Sequence, residues 1–217
     1  MTEQVADARA SAAPSYDVKR ELRALYAPKN RDWETLVVPP QRFLAVDGSG
    51  DPNTAQAYVD AVEALYAVAY TVKFAGKRAG RDSVVGPLEG LWYADDLAVF
   101  TARDKAAWSW TMLISLPGWV SDAQVEEAVA AARLKKKSLP GLDRVRIESL
   151  DEGLCMQLLH VGSYDDEAPA LARLHGEVLP AEGLRERGRH HEVYLSDPRR
   201  VAPEKLKTVV RQPVEHS

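Results

Sequence analysis

The chain runs through the same order of elements twice, and this internal duplication constrains its fold more than any other feature. Phe43-Leu44-Ala45-Val46-Asp47-Gly48 leads into one long amphipathic segment, and Leu158-Leu159-His160-Val161-Gly162-Ser163 leads into another. A strand follows each: Leu91-Trp92-Tyr93-Ala94-Asp95 in the first half matches Val193-Tyr194-Leu195-Ser196-Asp197 in the second. Each half then closes with a strand ending at a proline, Trp108 to Pro117 and Leu206 to Pro213. The order is strand, helix, strand, strand. Such a module buries one face of a small sheet under one helix, so two modules side by side leave a groove along their pseudo-twofold join. That groove is the natural ligand cleft. The expectation is an α+β chain of antiparallel sheets, with one domain over residues 16–217 made of two pseudo-repeats, about 34–117 and 144–213.

Apolar periodicity supplies the helices. Tyr58, Val62, Leu65, Ala69 and Val72 recur at spacings of three and four after the Gly50-Asp51-Pro52-Asn53 turn, which predicts a helix over 53–75. Ser121-Asp122-Ala123-Gln124 has capping-box form and precedes the stripe Val125, Ala128, Val129 and Ala132. Leu171, Leu174, Val178 and Leu179 mark a third helix, opened by Asp165-Asp166-Glu167, whose acids suit the positive end of a helix dipole. A short helix is expected over 17–26, and strands over 35–47, 87–94, 107–116, 154–163, 190–196 and 206–213.

Composition narrows the function classes. With 28 basic against 32 acidic residues the net charge is −4, whereas a duplex-binding module needs a clustered basic surface. Nucleic acid is therefore not an expected partner. The one basic run, Arg133-Leu134-Lys135-Lys136-Lys137, complements a helix C-terminus instead. Cys155 is the only cysteine, which excludes an internal disulfide and a cysteine-based zinc site and predicts core filling. No apolar run reaches the roughly 20 residues that cross a bilayer, and no charged start with an apolar core marks a signal peptide. No membrane association is expected, and the protein is read as cytoplasmic, with residues 1–15 a disordered tail and the oligomeric state open.

The candidate chemistry lies in the stretch from Gly188 to Asp197. Alternation along a strand turns Glu192 and Tyr194 to one face and Val193 and Leu195 to the other. If that face is concave, the carboxylate beside an aromatic ring binds a cationic or electron-poor ligand or positions a general base. If it is open to water, it is a solvated outer face. Trp92 and Tyr194 hold corresponding positions in the two halves and would line the groove from opposite sides, with Glu192 near the axis. Trp108 and Trp110 share a strand face that is either core or cleft, and which of them lines the cleft is left open. His160, His190 and His191 lack a carboxylate at zinc spacing, and His190 and His191 face opposite ways, so no metal is expected. No cofactor is expected either, because Gly48-Ser49-Gly50 and Gly86-Pro87 are turns without the Gly-Lys-Ser/Thr of a phosphate loop. Ser163 near His160 lacks the supporting acid of a triad.

Read in order, Leu25-Tyr26-Ala27-Pro28-Lys29, Val46 through Asn53, Ala64-Leu65-Tyr66, Tyr70-Thr71-Val72-Lys73-Phe74, Pro87-Leu88-Glu89-Gly90-Leu91-Trp92, Trp108-Ser109-Trp110-Thr111, Gln157-x-x-His160-x-Gly162-x-Tyr164-Asp165-x-Glu167 and the Glu192 strand resemble the GyrI-like small-molecule-binding family. The resemblance spans roughly residues 16 to 213, and the standalone Trp-rich form is similar to cyclopropanoid cyclohydrolases. It implies a duplicated SHS2-type module with a ligand cleft between the halves, a planar aromatic or lipophilic ligand, and opening of the cyclopropane ring of alkylating natural products as a detoxification step. In the family's transcription regulators the module follows a DNA-binding region, for which the stretch before the first strand is too short here. The family's pocket glutamate maps to Glu192, as general base or water-orienting group. Tyr164 is the candidate hydrogen-bond donor to the oxyanion, although it equally suits a turn. Trp92, Trp110 and Tyr194 would stack on a flat ligand, with Phe74 and Tyr66 as further lining. The alternatives are sequestration of a xenobiotic without chemistry and a gyrase-protecting interaction.

Overall fold

Pro39 and Pro40 supply no backbone N–H, so they cut the long first strand in two. The pieces are β1 (Glu34–Val38) and β2 (Gln41–Ser49). This computed structural model describes residues 14–96, 99, 102–135 and 138–217, so the expected tail up to residue 13, and Lys136 and Lys137 of the basic run, lie outside the described residues. The remaining strands are β3 (Leu88–Tyr93), β4 (Ser109–Ser115), β5 (Arg146–Leu150), β6 (Gly153–Val161), β7 (Leu184–Glu186), β8 (His190–Tyr194) and β9 (Lys207–His216). Two of these, β5 and β7, were not expected from sequence. A third difference concerns the end of the second half: β9 does not stop at Pro213 but runs through it, pairing Pro213 with Cys155 before β7 takes over at Val214–His216.

All strand pairings are antiparallel. β2 pairs β4, β4 pairs β3, β3 pairs β8, β8 pairs β9 and β9 pairs β6. The ladders Glu34↔Gln157 to Val38↔Gly153 and Gln41↔Leu150 to Ala45↔Arg146 keep one register across both breaks. The pairing therefore returns to its start and leaves few open edges.

The helices are α1 (Val18–Glu21), α2 (Arg23–Tyr26), α3 (Gln56–Arg78) and α4 (Asp122–Lys135), followed by an irregular run from a 3-10 turn at Tyr164–Glu167 through α5 (Ala168–Arg173) and a π turn (Leu174–Val178) to α6 (Leu179–Ala181). α3 ends where Gly80 takes a left-handed φ of 78° and Arg81 N–H returns to the Gly76 carbonyl at 2.8 Å. Ser121 and Gln124 form the expected reciprocal cap on α4.

α3 covers the outer face of the first half, where Leu65, Val68 and Val72 pack on Leu44, Val46, Trp110, Met112 and Ile114. Each such fully buried Leu or Val contributes about 1.5–3 kcal/mol relative to exposure. Leu174 and Leu179 cover Met156, Leu158 and Val210 of the second half. The opposite face of the strands is the interior of the ring, with Phe43, Ala45, Leu91 and Leu113 in one cluster and Cys155, Val193 and Val209 in another. Burial pushes the Cys155 thiol up to about 12, in keeping with a core residue.

That interior also holds charge. His191 Nδ1 lies 2.9 Å from Glu152 Oε1, and Nε2 lies 3.1 Å from Glu89 Oε2. Arg211 donates to Glu152 Oε2 at 3.0 Å, to Gln157 Oε1 at 2.9 Å and to the Leu25 carbonyl at 3.1 Å. Tyr26 donates to Glu89 Oε1 at 3.0 Å and accepts from Gln41 at 3.1 Å. Two carboxylates face one imidazolium and one guanidinium, so the charges cancel. Burial by itself lowers the His191 pKa, but the Glu152 charge and the hydrogen bonds to Glu152 and Glu89 override it and hold the ring at about 9.

Because the folded value exceeds the ordinary 6.5, the stabilisation is complete below that pH and is lost as pH rises through about 9. Urea unfolding is expected to give falling stability across that window. His191→Gln should cost about 3–5 kcal/mol by leaving buried carboxylates uncompensated, and should abolish the His-linked slope. An unchanged slope in the variant would assign the linkage to another group.

Candidate functional site

The β3–β8 ladder carries the site. Its register pairs Leu88 with Tyr194, Gly90 with Glu192 and Trp92 with His190. Period-two alternation sends Glu89, Leu91, His191 and Val193 inward and turns Gly90, Trp92, His190, Glu192 and Tyr194 to the helix-covered face. His190 and His191 thus point to opposite faces. The alignment that superposes Trp92 on Tyr194 also superposes Gly90 on Glu192, and those two residues face each other across the ladder. One half supplies the carboxylate at the join, and the other supplies a glycine.

A close approach favours glycine here. A Cβ at Gly90 would lie 3.0 Å from Trp92 Nε1 and 3.1 Å from the Tyr194 hydroxyl. Trp92 Nε1 donates to that hydroxyl at 3.0 Å, so a hydrogen-bonded aromatic pair spans the join beside Glu192. Further rings extend it. Tyr164 packs edge-on against Tyr194 at 5.6 Å, Trp108 against Trp92 at 5.6 Å, and Tyr58 of α3 against Trp110 at 5.3 Å. Asp165 ties the helix side to the β3–β4 connection through Arg103 and through Lys105 at 3.4 Å, exposed pairs that contribute little energy.

Two carboxyl groups meet there. The Glu192 side chain is 15% exposed, with Oε1 3.4 Å from His190 Nε2. Glu167, at the end of the 3-10 turn, is 4% exposed. Burial first, and the Glu192 charge second, push its pKa up to about 10, so Glu167 is neutral at physiological pH. The nearby Thr208 hydroxyl pulls the other way but falls short of hydrogen-bond geometry. Glu167 Oε1, Thr208 Oγ1 and His190 Nε2 are all buried without a hydrogen-bond partner. Such orphaned groups normally find a ligand or an ordered water. Burial and then the same Glu192 charge push Tyr164 up to about 12 and also raise Tyr58 and Tyr194, which keeps all three phenols protonated as donors. Among the described residues no group of three or more His, Cys, Asp or Glu side chains is arranged to hold a metal ion.

Of the residues singled out from sequence, Glu192, Tyr194, Trp92 and Tyr164 come together here. Trp110 is fully buried behind Tyr58, its Nε1 donating to the Gly50 carbonyl at 3.2 Å, so it supports the wall from within the core. Trp108 keeps some exposure and touches Trp92. Phe74 does not join the site: it is 49% exposed at the far end of α3, stacked on Tyr70, and about 24 Å of helix separates it from Tyr58. Tyr66 stacks on the other side of Tyr70 and feels Asp197 and Arg199 electrostatically, about 12 Å along α3 from Tyr58.

Glu167, Tyr58, His190 and Thr208 were missed as site residues. The acid of Glu167 reads as part of a helix-capping cluster, yet Asp166 alone makes the cap with Ser163, at 2.7 Å. A concavity of about 390 Å³ lies elsewhere, between α3 and α4 around Ala75, Trp119 and Gln124. It holds none of the orphaned polar groups, so the chemistry points to the Glu192 face.

Gly48 faces Trp110 across β2 and β4, and a Cβ there would lie 2.1 Å from the indole ring. Gly48→Ala is expected to displace Trp110 and Tyr58 and to lower stability by about 1–3 kcal/mol in denaturant unfolding. Wild-type stability with unchanged tryptophan emission would show that this wall tolerates repacking.

A family model described as the GyrI-like small molecule binding domain matches residues 34–215. No curated protein matches the chain. Among solved structures, an uncharacterized conserved protein from Listeria innocua is 40% identical, with a TM-score of 0.85 over 93% of this chain and 100% of its own. A hydrolase from Listeria innocua is 39% identical, with a TM-score of 0.82 over the same shares of 93% and 100%. The EcmrR C-terminal domain, 9% identical with a TM-score of 0.55 over 86% of this chain and 98% of its own, shares the fold alone. The family-model match over residues 34–215 and the 40% identity over 93% of the chain agree: this chain belongs to the GyrI-like small-molecule-binding family.

Proposed function

We propose that this protein binds a planar, lipophilic electrophile over the β3–β8 join and hydrolyses it, with a cyclopropane fused to a dienone as the substrate class and detoxification as the purpose. The observation that carries this reading is Glu192 set beside the Trp92–Tyr194 pair and among three orphaned buried polar groups. The 39% identity to a protein known as a hydrolase supports a hydrolytic outcome. Glu192, as general base, takes a proton from a water held near His190. The water oxygen bonds to the ring methylene, the cyclopropane C–C bond breaks toward the dienone, and the electron pair arrives on the carbonyl oxygen as phenolate. Tyr164 donates a hydrogen bond to that oxygen, and protonated phenols around it favour the charge as it develops. Trp92 and Tyr194 present flat rings to a flat ligand at little entropic cost. The acidic balance of the chain suits a small-molecule ligand better than nucleic acid.

Glu192→Gln separates hydrolysis from sequestration. The amide keeps the size and some hydrogen bonding but removes the base, so turnover should fall about 10²- to 10⁴-fold with affinity nearly unchanged. The assay follows tryptophan quenching and product mass with a spirocyclopropyl-cyclohexadienone. Quenching by wild-type protein without any gain of water in the product would move the reading to sequestration.

A further inference from the structure

We propose that Glu167 is the proton donor of this site, delivering its carboxyl proton to the substrate oxygen while Glu192 accepts the proton of the attacking water. The inference rests on the hydrolytic reading above and adds a second acid–base group to it. Glu167 is nearly inaccessible, and the groups that act on it are Glu192 and Tyr194 from β8, Thr208 from β9 and Tyr164 from its own turn, none of them a cation. Its Oε1 is buried without a partner, as is Thr208 Oγ1. Glu167, the deeper member, 4% exposed with an unpartnered oxygen, feels the Glu192 charge with no cation to offset it, so it keeps its proton.

The reaction then balances within the pair. Water loses a proton to Glu192 and bonds to the methylene carbon through oxygen. The cyclopropane C–C bond breaks, its electron pair passes through the dienone to the carbonyl oxygen, and that oxygen takes the Glu167 proton to become a phenol. Afterwards Glu192 is protonated and Glu167 is charged. One proton transfer between the two carboxyls restores the start, with no net exchange with solvent.

Two measurements test the assignment. In ligand-free protein, infrared difference spectra from neutral pH upward are expected to contain the carbonyl stretch of a protonated carboxyl that disappears as pH passes about 10 and is missing in Glu167→Gln. With the spirocyclopropyl-cyclohexadienone, Glu167→Gln should leave KM within about twofold and lower kcat about 10²-fold, removing the alkaline limb of the pH profile. Glu167→Asp, which keeps an ionisable carboxyl, should restore that limb. Wild-type kcat in the Gln variant, or an infrared band that survives in it, overturns the proposal. No ring opening by wild-type protein removes the hydrolytic reading and the donor role with it, whereas ring opening that is insensitive to Glu167 removes the donor role alone.

Discussion

The proposed site hangs on the register of the β3–β8 ladder. Neighbouring residues on each strand face opposite ways, so fixing Gly90 opposite Glu192 on the outer face also fixes Leu91 opposite His191 inside. A slip of one residue would exchange the two faces, turning Val193 out and burying Glu192 in the interior that holds Phe43 and Val209. The interior network opposes that slip. His191 binds Glu89 of its partner strand and Glu152 before β6, and Arg211 joins the same carboxylate to β9 and to the Leu25 carbonyl, so a displaced β8 would strand several buried charges at once.

The two faces treat similar carboxyl groups in opposite ways. Inside, burial alone would raise the Glu152 pKa, but His191 and Arg211 outweigh it and hold the group at about 2. Outside, Glu167 has burial and the Glu192 charge acting together, with no cation to oppose them, and keeps its proton to about 10. The difference is one of partners rather than depth. A paired carboxylate inside stiffens the frame, and an unpaired carboxyl outside keeps a transferable proton. On the proposed reading, that division gives the ladder a rigid face and a reactive one.

Much of this organisation is legible in the sequence because it is periodic. The stripe from Tyr58 to Val72, the Ser121 cap and the alternation around Glu192 each follow from local spacing. The Trp92–Tyr194 correspondence follows from the repeated order of elements. What escaped depends on partners far away in the chain. Arg146–Leu150 becomes a strand because Gln41–Ala45 pairs with it, and nothing in its own five residues demands that. Glu89, Glu152 and Arg211 are ordinary surface residue types until His191 brings them together. Glu167 sits among acids that suit a helix start, and only burial against Glu192 distinguishes it from Asp165 and Asp166. Phe74 continues the aromatic stripe in sequence, but the length of α3 carries it beyond the join.

In the proposed reaction Glu192 activates water rather than attacking carbon itself. A single turnover of the spirocyclopropyl-cyclohexadienone in water enriched with heavy oxygen, with protein in excess, tests that claim most directly. If Glu192 activates water, the ring-opened product of this first turnover carries heavy oxygen on the former methylene carbon, and the protein gains none. Light oxygen in that product, with heavy oxygen appearing in the Glu192 carboxyl, would contradict it, because the carboxylate would then have been the nucleophile.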